Sequence, residues 1–222
     1  MPQRTLAIGD IHGCAEALDA VLAAMAPQRD DLLVLLGDYV DRGPDSRRVV
    51  ERILRLSDQC QLVTLLGNHE MMLLAALEDR LLLPVWRDTC GGAATMASYG
   101  GNLSDLPADH LAFIENCPLY FETDRYVFVH ANYEPERPLE QQPSDRLLWT
   151  HLSDPLPAPH CSGKMVIVGH TPQISGEYLD AGHLLCLDTH CYGGGWLTGL
   201  DLDARIAWQA DQRGQLRVRS DG

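Results

Sequence analysis

Short apolar runs separated by segments of helical periodicity organise the first part of the chain. The runs at residues 5–8, 32–36 and 62–66 are continuous, and a glycine stops each of them. Runs of this kind are typical of strands that are buried on both faces. Apolar residues recur at helical spacing after the first two runs: Ala17, Leu18, Val21, Leu22 and Met25, then Val50, Ile53 and Leu54. The alternation predicts βαβ units in a layered α/β core.

The later part of the chain repeats this pattern and then changes it. Residues 126–129 and 165–168 are two further apolar runs. Residues 184–187, 196–202 and 206–209 predict an antiparallel finish, because the last two segments alternate and are joined by a short polar turn.

Two segments between these elements read as loops. Residues 88–106 are rich in glycine and serine, and residues 134–146 are polar and rich in proline. Loops carried by a rigid scaffold are frequent sites of function. Both segments are therefore candidates for substrate-facing loops, and for the second an ordinary surface connection is the alternative.

Length and charge restrict the class of protein. The chain has 222 residues, which suits one domain over residues 1–222 with a sizeable core. A formal net charge of −14 argues against nucleic acid as a partner. No apolar run approaches 18 residues, so we expect no membrane span. The strand pattern begins by Thr5, which leaves no room for a signal peptide and favours the cytoplasm.

The cysteines agree with a reducing compartment. There are seven of them, without a CxxC pair, so a zinc-ribbon site lacks its spacing. Cys60, Cys117 and Cys186 lie near or within apolar segments, and we expect them to be buried as small hydrophobic residues.

Metal-ligating side chains follow the apolar runs. The first three runs end in Gly-Asp-Ile-His-Gly, Gly-Asp-Tyr-Val-Asp-Arg-Gly and Gly-Asn-His-Glu, and the two later runs end in histidine. Side chains at the carboxyl ends of parallel strands converge in such folds. Carboxylate, imidazole and amide oxygen suit Mn, Fe or Zn. The six candidate ligands are Asp10, His12, Asp38, Asn68, His130 and His170.

The spacing of these ligands suggests how two ions would share them. Asp38 is the natural bridge, because one carboxylate can offer an oxygen to each of two cations. Asp10 and His12 lie on one turn and can face one ion, which leaves the other three ligands for the second ion. Two such ions are a common device for hydrolysing phosphate esters.

Catalytic side chains are expected beside the ligands. His69 directly follows a ligand, so its ring should point toward substrate and protonate the leaving group as a general acid. Asp41 would orient and charge that imidazole. Arg42 offers a planar fork for two phosphate oxygens, although a local salt bridge with Asp41 is the alternative. Glu70 is expected to stabilise a helix N-terminus.

The remaining histidines are weaker candidates. His110, His160 and His183 lie in polar surroundings and are expected to be solvated. His190, two residues after Asp188, fits either a wall of the site or a structural turn.

With these residues identified, the chain resembles the PPP superfamily of metallophosphoesterases, and within it the small bacterial and phage serine/threonine phosphatases typified by lambda phosphatase. The likeness covers the three glycine motifs above and the later segments CGGAATMASYG, VFVHA, VGHTP and LDTHCYGGGWLTGLDL. It implies a calcineurin-like α/β fold, in which a two-sheet β-sandwich is flanked by helices. It also implies a dinuclear site that directs water at phosphorus without a phosphoenzyme. The expected ions are Mn²⁺, with Fe and Zn as alternatives.

The family's roles fall on the residues already singled out. Its metal ligands match the six named above, its phosphate contact matches Arg42, and its general acid matches His69 with Asp41 in support. Three positions depart from the family pattern, where relatives carry Trp-x-Arg, His-Ala-Gly and Asp-Thr-Gly. Here they read Trp149-Thr150-His151, His130-Ala131-Asn132 and Asp188-Thr189-His190.

The first departure affects the second phosphate clamp, which is an arginine in many relatives. Either His151 takes its place as a phosphate contact or Arg146 reaches into the pocket instead. The sequence leaves this open.

Three functions compete at this point. The leading one is a serine/threonine protein phosphatase with a broad action on small phosphoesters, so that the partner is a phosphoprotein or a small phosphoester. The second is a symmetrical dinucleoside tetraphosphate hydrolase. The third, from another class, is a non-catalytic regulator that binds metal.

Overall fold

Two mixed β-sheets packed face to face form the centre of the computed structural model, which describes residues 3–220. The first sheet has the strand order β11-β10-β9-β1-β2-β3, and the second has the order β4-β5-β6-β8-β7. The strands of the first sheet are β1 (Thr5–Ile8), β2 (Leu32–Leu35), β3 (Gln61–Thr64), β9 (Leu197–Asp201), β10 (Ile206–Ala210) and β11 (Leu216–Ser220). Those of the second are β4 (Tyr120–Glu122), β5 (Tyr126–Val129), β6 (Met165–Val168), β7 (Leu179–Asp180) and β8 (Leu184–Cys186).

Helices connect the strands and cover the sheets. They are α1 (Ala15–Met25), α2 (Ser46–Leu54), α3 (Asn68–Glu78), α4 (Leu83–Thr89), α5 (Gly92–Ser98), α6 (Ala108–Glu115) and α7 (Ser144–Trp149). Short 3₁₀ turns lie at Arg55–Asp58, Leu103–Asp105, Leu139–Gln141 and Cys191–Gly193. Among the described residues, no helix is long and apolar enough to cross a bilayer.

Alternation along the strands builds the layers, because successive side chains of a strand point to opposite faces. Leu6 and Ile8 of β1 pack with α1 and α2, whereas Ala7 packs against the second sheet. In β5, Phe128 faces the first sheet and Val127 packs with residues of α7. Both faces of the central strands are therefore buried, as their continuous apolar runs predict.

Parallel pairing places the strand ends together. β1 runs parallel to β2 and β2 parallel to β3, and in the second sheet β5 runs parallel to β6 and β6 to β8. The loops that carry the candidate ligands leave the carboxyl ends of these strands. The two-sheet α/β fold confirms the fold class implied by the family resemblance.

Some sequence predictions need correction. Strand β3 is an edge strand with Gln61 exposed and the rest half-buried, so it is not buried on both faces. Strand β8 pairs in parallel with β6, so residues 184–187 are not part of the antiparallel finish. Residues 88–106 contain helix α5, and residues 134–146 include a 3₁₀ turn and the start of α7.

Two of the histidines expected in solvent are buried. His110 is 4% exposed, and its Nδ1 lies 2.8 Å from the Tyr99 hydroxyl. His160 is 3% exposed, with Nδ1 2.7 Å from Ser162 Oγ and Nε2 2.9 Å from the Arg137 carbonyl. Polar neighbours in sequence do not show which partners the fold brings to a side chain. His183 is half-buried, and the predicted burial of Cys60, Cys117 and Cys186 is confirmed.

Candidate active site

The six predicted metal ligands lie together where the two sheets meet. Nitrogen and oxygen atoms of His12, Asp38 and His69 lie within 4.8 Å of one another, and so do those of Asp38, His130 and His170. Asp38 belongs to both groups, which is the position expected of a bridging carboxylate. The loops after β1, β2 and β3 supply one side of the site, and the loops after β5 and β6 supply the other.

Lone pairs converge on the amide oxygen of Asn68. His130 donates from Nδ1 to the Leu36 carbonyl at 2.8 Å, so its Nε2 carries a lone pair 3.0 Å from Asn68 Oδ1. His170 donates from Nε2 to the Trp149 carbonyl at 3.2 Å, so its Nδ1 carries a lone pair 3.1 Å from the same oxygen. Three acceptors at these distances repel one another unless a cation lies between them.

Burial keeps the imidazoles in the neutral form that binds metal. It lowers the pKa of His12 and of His170 to about 3, and it also lowers the pKa of His130. His12 donates from Nδ1 to the Val40 carbonyl at 2.9 Å, which leaves Nε2 as a ligand 3.4 Å from Asp38 Oδ2. A backbone carbonyl thus fixes the tautomer of each ring.

The carboxylates are crowded in the same region. Burial and then the charges of Asp188 and Asp38 raise the pKa of Asp10 well above its usual range. Burial also raises the pKa of Asp188 to about 6. Both oxygens of Asp10 accept from the His170 backbone N–H, at 3.0 and 3.1 Å. Neighbouring carboxylates that are 2–3% exposed call for a compensating cation.

The donor set fits divalent metal ions, as a calcineurin-like fold implies. Carboxylates and neutral imidazoles form two groups that share Asp38, and the amide oxygen of Asn68 lies beside the second group, so the geometry favours positive charge in this region. When bound, two divalent ions at such a site activate water and neutralise charge on a phosphate.

The buried carboxylate of Asp41 orients the His69 ring. His69 donates from Nδ1 to Asp41 Oδ2 at 2.7 Å, and Trp86 Nε1 donates to the same oxygen at 2.8 Å. Thr95 Oγ1 donates to Asp41 Oδ1 at 2.7 Å. Burial opposes protonation of His69, but Asp38 and Asp41 outweigh it, so the pKa of His69 is raised. The expected His69–Asp41 pair is therefore present, with two hydrogen-bond partners that the sequence did not reveal.

The sequence feature that could have indicated Trp86 and Thr95 is the segment CGGAAT at residues 90–95. A Cβ on Gly92 would lie 2.4 Å from the Trp86 ring, and a Cβ on Gly91 would lie 2.7 Å from Arg42. Thr95 follows three residues later on α5. The glycines allow α4 and α5 to pack against Asp41 and Arg42. This segment therefore helps to fix the positions of both side chains.

Arg42 lies over an aromatic ring. Its guanidinium carbon is 4.4 Å from the centroid of Tyr192, and Nη1 is 3.3 Å from His12 Nε2. Tyr192 also packs edge-on against His12, with ring centroids 4.8 Å apart. Stacking on Tyr192 holds the guanidinium fork beside the ligand cluster, where it can contact phosphate oxygens.

A cavity of about 300 Å³ opens onto this cluster. Its lining consists of Asp10, Asp38, Arg42, Asn68, Trp149, His151, His170, Pro172 and Tyr192. His151 therefore lines the cavity, whereas Arg146 is not among the lining residues within the described chain. His69 is 1% exposed and is not among these lining residues of the described chain, although one of its nitrogens lies within 4.8 Å of ligand atoms of His12 and Asp38. The aromatic wall of Trp149 and Tyr192 was not anticipated from the sequence.

Two departures from the family pattern are linked by a hydrogen bond. Asn132 Nδ2 donates to the His151 carbonyl at 3.1 Å. The imidazole of His151 stacks on His170, with centroids 4.4 Å apart and an interplanar angle of 24°. The third departure, His190, has φ of 62°, and its N–H donates to Asp188 Oδ1 at 2.9 Å. A glycine in relatives suits this left-handed backbone, and the contact favours a structural turn at His190.

Comparison with known proteins agrees with this geometry. The model of the calcineurin-like phosphoesterase family matches residues 3–206. A symmetrical bis(5'-nucleosyl)-tetraphosphatase of Paracidovorax citrulli is 46% identical over 130 residues, which cover 58% of this chain and 44% of that protein. The chain aligns with less than half the length of the first three such relatives.

Solved structures share the fold at low identity. One, described provisionally as a diadenosine tetraphosphatase, has a TM-score of 0.70 and 23% identity and covers 100% of this chain and 97% of that one. A serine/threonine phosphatase of Saccharomyces cerevisiae has a TM-score of 0.63 and 16% identity, covering 98% of this chain and 79% of that one. On the match over residues 3–206, the chain belongs to the calcineurin-like phosphoesterase family.

Proposed function

We propose that the protein hydrolyses dinucleoside tetraphosphates symmetrically, giving two nucleoside diphosphates. The observation that carries this proposal is the composition of the cavity. Its lining combines candidate metal ligands and Arg42 with the aromatic residues Trp149 and Tyr192. A polyphosphate chain joined to planar bases needs both kinds of surface. The naming of the tetraphosphatase relatives supports the same substrate class.

Each residue has a proposed role. Asp10, His12, Asp38, Asn68, His130 and His170 would hold two divalent ions, for which we propose Mn²⁺ ahead of Fe or Zn. Arg42 would bind phosphate oxygens in bidentate fashion, and His151 would contact a second part of the chain of phosphates. His69, oriented by Asp41, would protonate the leaving group.

Product analysis tests the proposal directly. The Mn²⁺-loaded protein would be incubated in parallel with diadenosine tetraphosphate and with a phosphoserine peptide, and the products separated by chromatography. We expect ADP as the single nucleotide product, at a rate well above release of phosphate from the peptide. A mixture of AMP and ATP would contradict symmetrical cleavage. Turnover of the peptide alone would favour the protein phosphatase instead.

A further inference from the structure

One tryptophan that lines the cavity is partly exposed. Trp149 ends helix α7 and is 42% exposed, and among the described residues it is the aromatic member of the large exposed hydrophobic side chains. Trp86, by contrast, is 2% exposed. Exposure of an indole is costly because its large apolar area remains in water. Such a residue calls for a reason connected with binding.

The position of Trp149 connects it to the candidate site. Its carbonyl accepts from His170 Nε2 at 3.2 Å, and Trp149 lines the cavity together with His151 and Pro172. The adjacent ring of His151 is already stacked on His170. Within residues 3–220, no aromatic ring or guanidinium is stacked on the Trp149 indole, and the exposed part of the residue is open to a ligand.

The chemistry of the two surfaces points to a composite ligand. Arg42 and the candidate metal ligands suit phosphate, while a partly exposed indole in the same lining suits a flat, apolar group. Nucleoside polyphosphates carry a heteroaromatic base at the end of a phosphate chain. We infer that Trp149 is the stacking platform for one nucleobase of the substrate, an inference that rests on the proposed function. Stacking accepts every base because every base has a π-face, so adenine and guanine dinucleotides should be used with similar efficiency.

Kinetics with two substrates test the platform. Native protein, Trp149→Ala and Trp149→Phe would be compared on diadenosine tetraphosphate and on glycerol phosphate, which has no base. Loss of base stacking should lower kcat/KM for the dinucleotide on the order of tenfold more than for glycerol phosphate, mainly through KM. Phenylalanine should restore most of this difference. Leu81→Ala, which removes an 84% exposed apolar side chain outside the cavity lining, is the matched control.

A binding measurement gives an independent readout. Stacking of adenine on Trp149 should quench tryptophan fluorescence when ADP is titrated into the protein, and Trp149→Phe should abolish that quenching. An equal loss on both substrates, or unchanged quenching in Trp149→Phe, would overturn the platform. If native protein cleaves glycerol phosphate but no dinucleotide, the proposed function fails. The ADP titration still decides separately whether the indole stacks on a base.

Discussion

Single residues of the candidate site adopt a backbone conformation that most amino acids avoid. Their φ angles are positive: His12 46°, Asp38 53°, Asp41 71°, Arg42 69° and His170 61°. Strain of this kind persists only where surrounding contacts hold it. Glu70 provides such contacts, because its carboxylate accepts from the backbone N–H groups of Asp38, Tyr39 and Val40 at 2.7–3.1 Å. It also accepts from Gly67 N–H at the start of α3, as expected of a helix cap.

His69→Asn tests the general acid. We expect kcat for an alkyl phosphate ester to fall by on the order of 10²–10⁴-fold with metal content unchanged. The loss should be smaller for a dinucleoside tetraphosphate, because a nucleoside diphosphate is a good leaving group that needs little protonation. Turnover of both substrates and elemental analysis of metal would be measured. A uniform loss accompanied by reduced metal content would identify His69 as a ligand, consistent with its place beside His12 and Asp38.

His151→Arg tests whether this position contacts phosphate. An imidazole loses its charge in the neutral range, whereas a guanidinium keeps it. If His151 binds phosphate, the arginine variant should lower KM most clearly above neutral pH and flatten its pH dependence. Profiles of KM against pH would be compared with those of Arg146→Ala, which removes a cation outside the cavity lining. Identical profiles for native protein and His151→Arg would rule out a phosphate contact.

At the scale of elements, continuous apolar runs identified strands, and with the exception of the edge strand β3 these strands are buried. The bounds of β1, β5 and β6 agree with the predicted runs, because each of these strands packs on both faces. Strand β11 was missed, since its residues include Arg217 and Arg219 and it gains stability by pairing with β10 at the edge of the sheet. Helix α5 was missed because its small residues, starting at Gly92, are selected by packing on Trp86 rather than by helix propensity.

The residues of the site, like the elements, were predictable only where local sequence pattern decides their position. Motifs that follow strands predicted that the candidate ligands would lie together, because the ends of parallel strands converge whatever their partners are. The supporting residues Trp86 and Thr95 come from helices far along the chain, and only the packing of α4 and α5 brings them to Asp41. The role of Trp149 likewise depends on where α7 ends relative to His170.

The ion pair between Arg4 and Asp31 connects the residues just before β1 and β2 with the end of α1. Arg4 donates from Nε to Asp31 Oδ2 at 3.1 Å, and its other nitrogens donate to the carbonyls of Met25 and Ala26 at the end of α1. Burial alone would raise the pKa of Asp31, but hydrogen bonds from Arg4 and from the Gln28 N–H lower it below its usual value. The carboxylate is therefore stabilised in its charged form.

Asp31→Asn should reduce the free energy of unfolding at neutral pH by about 1–3 kcal/mol, because it removes hydrogen bonds to a charged group. The pKa of Asp31 is lower in the folded protein than in the unfolded chain, where an aspartate has a pKa of about 3.9. Its charge therefore stabilises the fold above that unfolded value, and this stability is lost as the pH falls through the folded pKa. Urea unfolding of both proteins at pH 7 and at acidic pH would be compared. A difference that persists undiminished in acid would contradict this ionic origin.

At the scale of the whole molecule, the candidate ligands come from both sheets. Asp38 follows β2 of the first sheet, whereas His130 and His170 follow β5 and β6 of the second. Metal bound at this position would join the two halves of the sandwich. A ligand that binds only the folded state stabilises the protein by an amount that rises with the logarithm of the free ligand concentration.

Metal addition should therefore raise the melting temperature. At a free concentration 100 times Kd the gain is about 2.7 kcal/mol, which corresponds to roughly 5–10 °C for a chain of this size. Asp38→Asn should lose most of this shift together with activity, since Asp38 belongs to both groups of candidate ligands. Glu51→Gln on α2 is the control for removing a carboxylate elsewhere. Full activity and an unchanged melting temperature after chelator treatment would contradict the proposed metal site.

The order of strands in the first sheet also bears on how the chain is made. Strand β1 lies between β2 and β9, with Leu6 opposite Asp201. One hydrogen-bonding edge of β1 therefore lacks its partner until Leu197–Asp201 have left the ribosome. Contacts between segments so distant form slowly, and an apolar strand with an unpaired edge is prone to aggregate in the meantime. A nascent chain that stalls before β9 would expose this edge to holdase chaperones.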